Sequence, residues 1–456
     1  MNNLVKQPHE KELFGHPVGL YVLFFTEMWE RFSYYGMRAI LVLFLVANVG
    51  DTNSGFGWSN GEALALYGTY TMLVYIASIP GGLLADRIFG QKRAVMIGGV
   101  LLCIGHGVLA VEALWAFYTG LGFIIAGVGM LKPNISTMVG GLYKPGDDRR
   151  DKGFTIFYIG INVGAFLSAL IVGYVGEKIG WHYGFGLAGI GMVLGQLVYM
   201  WGQKFLVGIG DFIGKGDSAD KEAFNRPLTK VEKDRMVVMF LSFILIIVFW
   251  GSFEQAGGLM NLYTAEKTDL ALGNFMVPAS WFQSVNAFFI ITLGTAVAGF
   301  WYKWKKSGKE GSSLFKMAIG VIIMGWGFLF MSKASTEVVM DGESVIEKSA
   351  MIWLVLAYLF HTVGELCASP VALSFITKLA PVKYASFMMG AYFAATGLGN
   401  KVAGLIGESS ADAGEFQIFT GIAIFCTIIG VIVLLMLKPL KRLTHGAEDL
   451  EMEATH

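Results

Sequence analysis

The chain is poor in charged residues, and this shortage excludes an ordinary soluble domain. Only 15% of its 456 residues are charged, whereas 55% are hydrophobic and the mean hydropathy is +0.59. Soluble domains carry about 25% charged residues and cannot hide so much apolar surface in one core. The composition therefore predicts an all-α polytopic membrane protein.

Cysteine is also scarce, and the formal charge is balanced. The three cysteines, Cys103, Cys367 and Cys426, all lie in apolar segments, which argues against a disulfide framework and against a thiolate metal site. The net charge is zero, so we expect no nucleic-acid partner. We expect neither a metal nor an organic cofactor.

Twelve apolar runs are long enough to cross a hydrocarbon core of about 30 Å. They divide six and six around a polar segment at 204–235, which predicts two six-helix bundles at 17–203 and 236–437, with an N-terminal segment 1–16 and a tail 438–456. The predicted spans are 17–48, 62–85, 94–111, 114–139, 153–176, 183–203, 236–265, 280–302, 315–332, 350–377, 384–407 and 416–437.

The distribution of basic residues predicts the orientation. Of 34 Lys and Arg residues, 26 lie in or beside the N-terminus, the C-terminus and the alternate loops, and only four lie in the opposite loops. Because cytoplasmic loops are enriched in Lys and Arg, we expect both termini and the linker 204–235 to be cytoplasmic.

Charged residues inside the spans are the candidate functional groups. The stretch EMWERFSYYGMR places six polar residues near one face of the first helix over about three turns: Glu27, Glu30, Arg31, Tyr34, Tyr35 and Arg38. Further charges at depth are Lys132, Glu254, Glu365 and Lys401. Each costs roughly 2.5 to 3.5 kcal/mol at the membrane centre, so such groups usually face a cavity or a partner and serve function, with a structural ion pair as the alternative.

Lys132 directly precedes Pro133 in the fourth span. Proline lacks a backbone donor and disfavours helix at the preceding residue, so we expect a local helix break beside this lysine. An ordinary proline kink is the alternative.

Several motifs together resemble the proton-dependent oligopeptide transporter family of the major facilitator superfamily. The ExxER signature is formed by Glu27, Glu30 and Arg31 and is followed by FSYYG. The other matching segments are GGLLADRIFG (81–90), KPNIS (132–136), FYIGINVGA (157–165), FWGSFEQAGG (249–258), WFQSVNAFF (281–289) and GELCASPVALSFITKLAP (364–381).

The resemblance implies a major facilitator fold of twelve helices, in which two bundles rock about a central site that takes a di- or tripeptide and protons. It assigns proton coupling and gating to Glu27, Glu30, Arg31, Lys132, Arg38 and Glu254. Within that group, Arg38 and Glu254 match a pair linking the first and seventh helices. It assigns substrate binding to Arg31, Tyr35, Arg38, Tyr70, Lys132, Asn162, Trp250, Asn286, Glu365 and Ser369.

The chemistry of a peptide site is consistent with these assignments. Peptides share two charged termini, so a site for many of them needs a cationic end for the carboxylate, here Arg31, Arg38 and Lys132, and an acid for the amino group, here Glu365. An acid that loses its basic partner in a dry site takes up a proton. We hypothesise that protonation of Glu254 releases Arg38 and opens one gate.

Three residues depart from the family pattern or have no assigned role. Tyr392 stands where relatives commonly have tryptophan, which leaves the side-chain preference open. His361 lies one turn before Glu365 and either tunes that acid or packs in the core. Lys401 is expected to reach an interface or to form a local pair.

Other function classes fit less well. A channel needs a pore ring and a gate, and a membrane enzyme needs a catalytic constellation, whereas the sequence has no HExxH, GxSxG or Cys/His cluster. The remaining alternative is a proton-coupled carrier of the same fold for nitrate or another small solute. We expect a monomer in the inner membrane, with the lipid bilayer as its only other partner.

Overall fold

A computed structural model describes residues 11–144, 147, 149–211, 227–342, 344–381 and 384–447. The predicted N-terminal segment, linker and C-terminal tail therefore lie partly outside the described residues. Within them the chain is almost entirely helical, which confirms the predicted fold class.

Long helices correspond to all twelve predicted spans. In chain order the α-helices are α1 Val18–Val46, α2 Asn60–Leu84, α3 Gln91–Leu109, α4 Leu114–Gly141, α5 Arg149–Lys178, α6 Trp181–Gly202, α7 Lys230–Phe253, α8 Leu259–Lys267, α9 Phe282–Lys306, α10 Ser313–Glu337, α11 Met351–Leu379, α12 Ala385–Glu408, α13 Ser410–Ala413, α14 Glu415–Leu435 and α15 Leu437–Leu443. A π-helical turn, Ala85–Phe89, follows α2, and 3₁₀ turns occupy Gln203–Phe205, Glu254–Ala256 and Ala279–Trp281.

Among the described residues, ten helical segments are long and apolar enough to cross a membrane. The long helices outside this set are α1, with 29 residues, and α12, with 24. Every 18-residue window of α1 contains at least three of Glu27, Glu30, Arg31 and Arg38, so its charge alone removes it from the set. The helices therefore agree with a twelve-span protein.

Short strand pairs outside the long helices were not predicted. Within the described residues, β1 Glu12–Leu13 pairs with β2 His16–Pro17, β4 Ala271–Leu272 with β5 Phe275–Met276, and β6 Val339–Asp341 with β7 Ser344–Glu347, all antiparallel, while β3 Thr268–Asp269 pairs in parallel with β8 Ser349–Ala350. The β1–β2 hairpin is held by Arg149, which donates to the Glu12 carboxylate and to the Gly15 carbonyl. Such short elements lack a hydropathy signal, which explains why the sequence pattern missed them.

The chain forms two compact units. The first comprises Met1–Gly57 and Leu73–Lys215, and the second comprises Trp58–Met72 and Gly216–His456. The N-terminal half of α2 thus belongs to the second unit, where Gly68 and Gly404 approach so closely that a Cβ on Gly68 would lie 2.7 Å from the Gly404 Cα. The two units are described separately below.

The fourth span does not break at Lys132, so this expectation is wrong. Helix α4 runs through Pro133 without interruption. Proline leaves the carbonyl of Gly129 without its usual helical donor, and Gly81 of α2 packs against this oxygen, which would lie 2.0 Å from a Cβ at position 81. The Asn134 side chain donates to the Met130 carbonyl at 2.7 Å. These contacts hold the turn in helical geometry despite the missing donor.

The seventh span, predicted as one run at 236–265, is interrupted instead. Helix α7 ends at Phe253, a 3₁₀ turn covers Glu254–Ala256, and α8 resumes at Leu259. Two glycines, Gly257 and Gly258, lie at the interruption, where the absence of side chains makes an irregular backbone less costly. Hydropathy cannot reveal such a break, because both sides of it are apolar.

Glycines of α5 and α6 hold the charged helix α1 in place. A Cβ on Gly160 would meet the Phe24 ring at 2.8 Å, and one on Gly164 would lie 2.2 Å from the Met28 carbonyl oxygen and 3.0 Å from the Arg31 Cβ. From α6, Gly191 packs on Phe32 and Gly195 on Trp29. The two glycines of each helix are four residues apart, and their lack of side chains lets α5 and α6 approach α1 closely.

We expect Gly164→Ala to lower the free energy of unfolding by about 1 to 3 kcal/mol, because the new methyl group overlaps a backbone carbonyl that cannot rotate away. Thermal unfolding of the purified protein in detergent measures the change. Gly122→Ala in α4 is the matched control, since a Cβ there meets nothing within 4 Å. Equal unfolding midpoints for the two variants would contradict the packing argument.

Candidate functional site

In the first unit, Arg31 lies against two carboxylates of its own helix. Its Nε is 2.8 Å from Glu27 Oε1 and 2.7 Å from Glu30 Oε2, and all three side chains are at most 3% exposed. One guanidinium therefore compensates two buried acids. The ExxER spacing explains the contact with Glu27, because i and i+4 share a helix face, whereas Glu30 is the residue directly before Arg31.

Tyr35 packs beside both arginines of α1. The Cζ atom of Arg38 lies 4.8 Å from the centre of the Tyr35 ring, and that of Arg31 lies 5.8 Å from it. Both distances are within the range of cation–π attraction. The ring thus holds two cations one helical turn on either side of it, as the predicted polar stripe requires.

Lys132 of α4 lies over an aromatic ring that the sequence did not indicate. Its Nζ is 3.9 Å from the centre of the Tyr75 ring in α2. Lys132 also lies within electrostatic range of Arg31, Tyr35, Glu30 and Glu27. The lysine therefore joins the charged cluster of α1 through space, and Tyr75 is a site residue whose only sequence signal was a tyrosine within an apolar run.

This cluster, defined as Glu27, Glu30, Arg31, Arg38 and Lys132, carries an excess of one positive charge when all its members are ionised. Charges at this depth interact more strongly than charges in water, because the surrounding protein screens them weakly. The chemistry of the cluster allows an anion to bind at its basic groups or a proton at its acids.

In the second unit, a half-buried amide orients a carboxylate. The Asn286 Nδ2 in α9 donates to Glu365 Oε2 at 2.9 Å and to Thr362 Oγ1 at 3.1 Å in α11. Two of the predicted substrate-binding residues are thus joined directly. Thr362 was not predicted, although it lies three residues before Glu365 on the same helix.

Glu254 is the other predicted site acid in the second unit, and it lies at the interruption between α7 and α8. The hydroxyl of Tyr67, from the N-terminal half of α2, donates to Glu254 Oε2 at 2.8 Å. A Cβ on Gly257 would lie 2.0 Å from the Tyr67 hydroxyl, so only glycine admits the tyrosine at this point. The break in the helix therefore creates the space in which Glu254 receives its donor.

Trp250 and Ser369 meet at a small cavity between α7, α10 and α11, whose other walls are apolar. Tyr70 is buried in the N-terminal half of α2. Asn162 in α5 donates to the carbonyl of Tyr158, one turn earlier in its own helix. Of the predicted pocket residues, Trp250 and Ser369 thus line one cavity, while Asn162 is engaged by its own backbone.

The three residues with open roles have local partners. His361 is 1% exposed and its ring lies 4.4 Å from that of Phe328, which agrees with the packing alternative. Lys401 donates to Thr69 Oγ1 at 2.8 Å, which is the local pair that the sequence analysis preferred. Tyr392 is buried in α12.

The predicted pair of Arg38 and Glu254 joins residues that belong to different units. It stays a prediction, and so do the functional roles of all the site residues.

A model of the POT family matches residues 92–215 and 215–420 of the chain. Over 97% of its length the chain is 36% identical to an uncharacterised transporter of Bacillus subtilis (strain 168), of which 98% is covered. It is 34% identical to a peptide transporter of Yersinia enterocolitica, with 98% of this chain and 99% of that one covered. A di-/tripeptide transporter of Lactococcus lactis subsp. cremoris is 35% identical, with 97% and 99% covered.

Solved structures agree with these relatives. A crystal structure of the peptide transporter POT in complex with sulfate matches with a TM-score of 0.87 at 34% identity, covering 96% of this chain and 97% of that one. A POT family transporter in complex with 5-aminolevulinic acid matches with a TM-score of 0.86 at 30% identity, covering 95% and 99%. The predicted major facilitator fold is thereby confirmed.

We expect Tyr67→Phe to destabilise the second unit by about 1 to 3 kcal/mol, because the substitution removes a hydrogen-bond donor from the buried Glu254 carboxylate without changing the ring. Chemical or thermal unfolding in detergent measures this loss. The matched control is Tyr183→Phe, whose side chain is 69% exposed. A Tyr67→Phe variant as stable as this control would refute the assigned contact.

Proposed function

Because the chain belongs to the POT family of membrane transporters, we propose that it is a proton-coupled symporter that imports di- and tripeptides by alternating access. It acts as a monomer in the inner membrane with both termini in the cytoplasm, catalyses no chemical reaction and needs no cofactor besides the coupling protons. The proposal is supported by peptide transporters at 34% and 35% identity among its relatives.

The observation that favours a peptide over a simple anion is the carboxylate of Glu365, held by Asn286. A carboxylate in a binding site attracts the ammonium of a peptide and repels nitrate. The basic members of the α1–α4 cluster, Arg31, Arg38 and Lys132, supply the complementary attraction for the peptide carboxylate. Together they recognise the two groups that all unmodified peptides share and leave the side chains unspecified.

Tyr35, Tyr70, Asn162, Trp250 and Ser369 are proposed to line the peptide site. Tyr35 lies beside Arg31 and Arg38, so it limits the directions in which these two guanidinium groups can approach a carboxylate. Trp250 and Ser369 adjoin an apolar cavity, which favours contact with a peptide side chain. Neither feature selects a particular residue, which suits a carrier of many peptides.

Proton coupling is assigned to Glu27, Glu30 and Glu254. The first two share the Arg31 guanidinium, so an anionic substrate that draws Arg31 away leaves two buried acids with less compensation. Such acids take up a proton more readily. We infer that substrate binding and protonation favour one another at this cluster, which is the energetic requirement for symport.

Purified protein in liposomes, with an inside-negative potential and an acidic exterior, should accumulate labelled dialanine. A protonophore should abolish the accumulation, and tripeptides but not free alanine should compete. Glu365→Gln should weaken dialanine binding about ten- to hundredfold, because it removes a charged partner of the ammonium group, and should remove the preference for dialanine over its N-acetyl derivative.

Glu347→Gln is the matched control, because Glu347 is exposed in β7. The peptide assignment would be wrong if folded wild-type protein took up nitrate or another small solute under this gradient and not dialanine. Unchanged discrimination against N-acetyl-dialanine in Glu365→Gln would remove Glu365 from the site.

We expect Glu254→Gln to abolish pH-driven accumulation of dialanine while leaving exchange of labelled for unlabelled peptide intact. Glutamine cannot take up the coupling proton, yet it keeps the shape of glutamate and an oxygen that accepts from Tyr67. Uptake and counterflow in the same vesicles measure the two activities. Full pH-driven accumulation by the variant would show that Glu254 does not couple protons.

A further inference from the structure

The end of α9 and the loop after it carry a basic and aromatic segment that the transport site does not use. Residues 300–316 contain five lysines and one acid, an excess of four positive charges. Aromatic residues alternate with these lysines: the segment reads FWYKWKKSGKEGSSLFK. The segment lies in the second unit, and none of its residues belongs to the proposed peptide or proton sites.

The aromatic residues form a packed support for the lysines. The Trp304 ring stacks on Phe315 of α10 at 6.5 Å and meets Trp301 edge-on at 6.2 Å. The Lys309 Nζ lies 4.4 Å from the centre of the Trp304 ring. These contacts hold the segment in one arrangement.

The loop itself folds back over α9. The Trp304 indole donates to the Glu310 carbonyl at 2.7 Å. Gly308 has a φ of +73°, and its N–H bonds to the Lys305 carbonyl, a helix ending that favours glycine. The lysines are therefore presented by an ordered turn.

The only acid of the segment is already neutralised. Glu310 Oε2 lies 2.9 Å from Lys441 Nζ of α15, and its Oε1 accepts from the Ser312 backbone. Among the residues that the structure describes, Lys303, Lys305 and Lys306 form no ion pair, and all three are exposed. Three lysines of one helix end thus stand close together without a counter-charge from the described protein.

We propose that Lys303, Lys305, Lys306 and Lys309, which we call the α9 lysine cluster, bind the phosphate headgroups of anionic membrane lipids. Phe300 and Tyr302 are 53% and 69% exposed beside these lysines. Aromatic side chains of this kind occupy the membrane interface, and clustered lysines next to a membrane-spanning helix attract anionic lipids. A lipid satisfies both features at once, with its headgroup on the lysines and its acyl chain beside the aromatic rings.

The predicted orientation places the α9 lysine cluster at the cytoplasmic leaflet, where anionic lipids give a negative surface potential. The same end carries Lys438 and Arg442 of α15, which are exposed and add to the attraction. Bound lipid would therefore anchor the loop between α9 and α10 and the start of α15 to the membrane surface.

Native mass spectrometry of the full chain in detergent tests the proposal. The protein is mixed with equal amounts of phosphatidylglycerol and phosphatidylcholine that have identical acyl chains. We expect the wild type to bind phosphatidylglycerol at least about tenfold better. The variant Lys303→Gln/Lys305→Gln/Lys306→Gln should lose most of this preference, because each lysine near a charged surface contributes about a fivefold increase in affinity.

Two further variants test whether the lipid preference depends on the α9 lysine cluster itself or only on the net charge of the protein. Lys178→Gln/Lys333→Gln/Lys348→Gln removes three charges at the opposite predicted side of the membrane, from the end of α5, the last turns of α10 and the connection between β7 and β8, and should keep the preference. Lys303→Arg/Lys305→Arg/Lys306→Arg retains the charge and should keep it too. Thermal unfolding verifies that every variant is folded, and raising the salt concentration should weaken the lipid preference by screening.

Three results would overturn the proposal. In the first, the wild type shows no preference for phosphatidylglycerol. In the second, the two glutamine variants lose the preference equally. In the third, inorganic phosphate at the same concentration as the lipid displaces phosphatidylglycerol. The last result would identify the ligand as a free anion.

Discussion

The structure depends first on the burial of three charges in a single membrane helix. Arg31 contacts Glu27 and Glu30 together, and this compensation is what allows α1 to lie inside a low-dielectric protein at all. A buried pair of this kind contributes little net stability, because its attraction is offset by the loss of hydration. The proposed role of these charges in transport gives a reason for their presence that stability does not.

Close helix packing follows from the same constraint. Glycines of α5 and α6 allow these helices to pack closely against α1 at Met28, Trp29 and Phe32. The lipid-facing surfaces need no such precision, and there large apolar side chains such as Trp201 and Ile424 are exposed. Small residues therefore occur on the helix faces that pack closely against another helix, and large apolar residues occur on the exposed faces, which need only be apolar.

The second unit handles its acids differently. Glu365 and Glu254 each receive a neutral donor, the Asn286 amide and the Tyr67 hydroxyl respectively. A neutral donor fixes the orientation of a carboxylate without itself adding a charge. The described contacts thus differ between the units: Arg31 pairs with two acids of its own helix in the first, and an amide or a hydroxyl group orients each acid in the second.

The sequence by itself determined the class of protein, the approximate position of each span and the types of residue at the candidate site. These properties are local: hydropathy, helical spacing and the ExxER motif are read within a few turns. It also determined the family, because several motifs spread along the chain are specific together.

Only the tertiary structure decided which residues meet. Tyr67 lies 187 residues from its partner Glu254, Tyr75 and Lys132 meet from different helices, and Thr362 joins Asn286. It also decided that α4 continues through Pro133, opposite to what local propensity favours, and that the seventh span breaks after Phe253, where both sides are apolar. The physical reason for the contacts and for the continuity of α4 is that a donor or a glycine from another part of the chain compensates or permits what the local sequence disfavours, and such partners have no fixed separation along the chain.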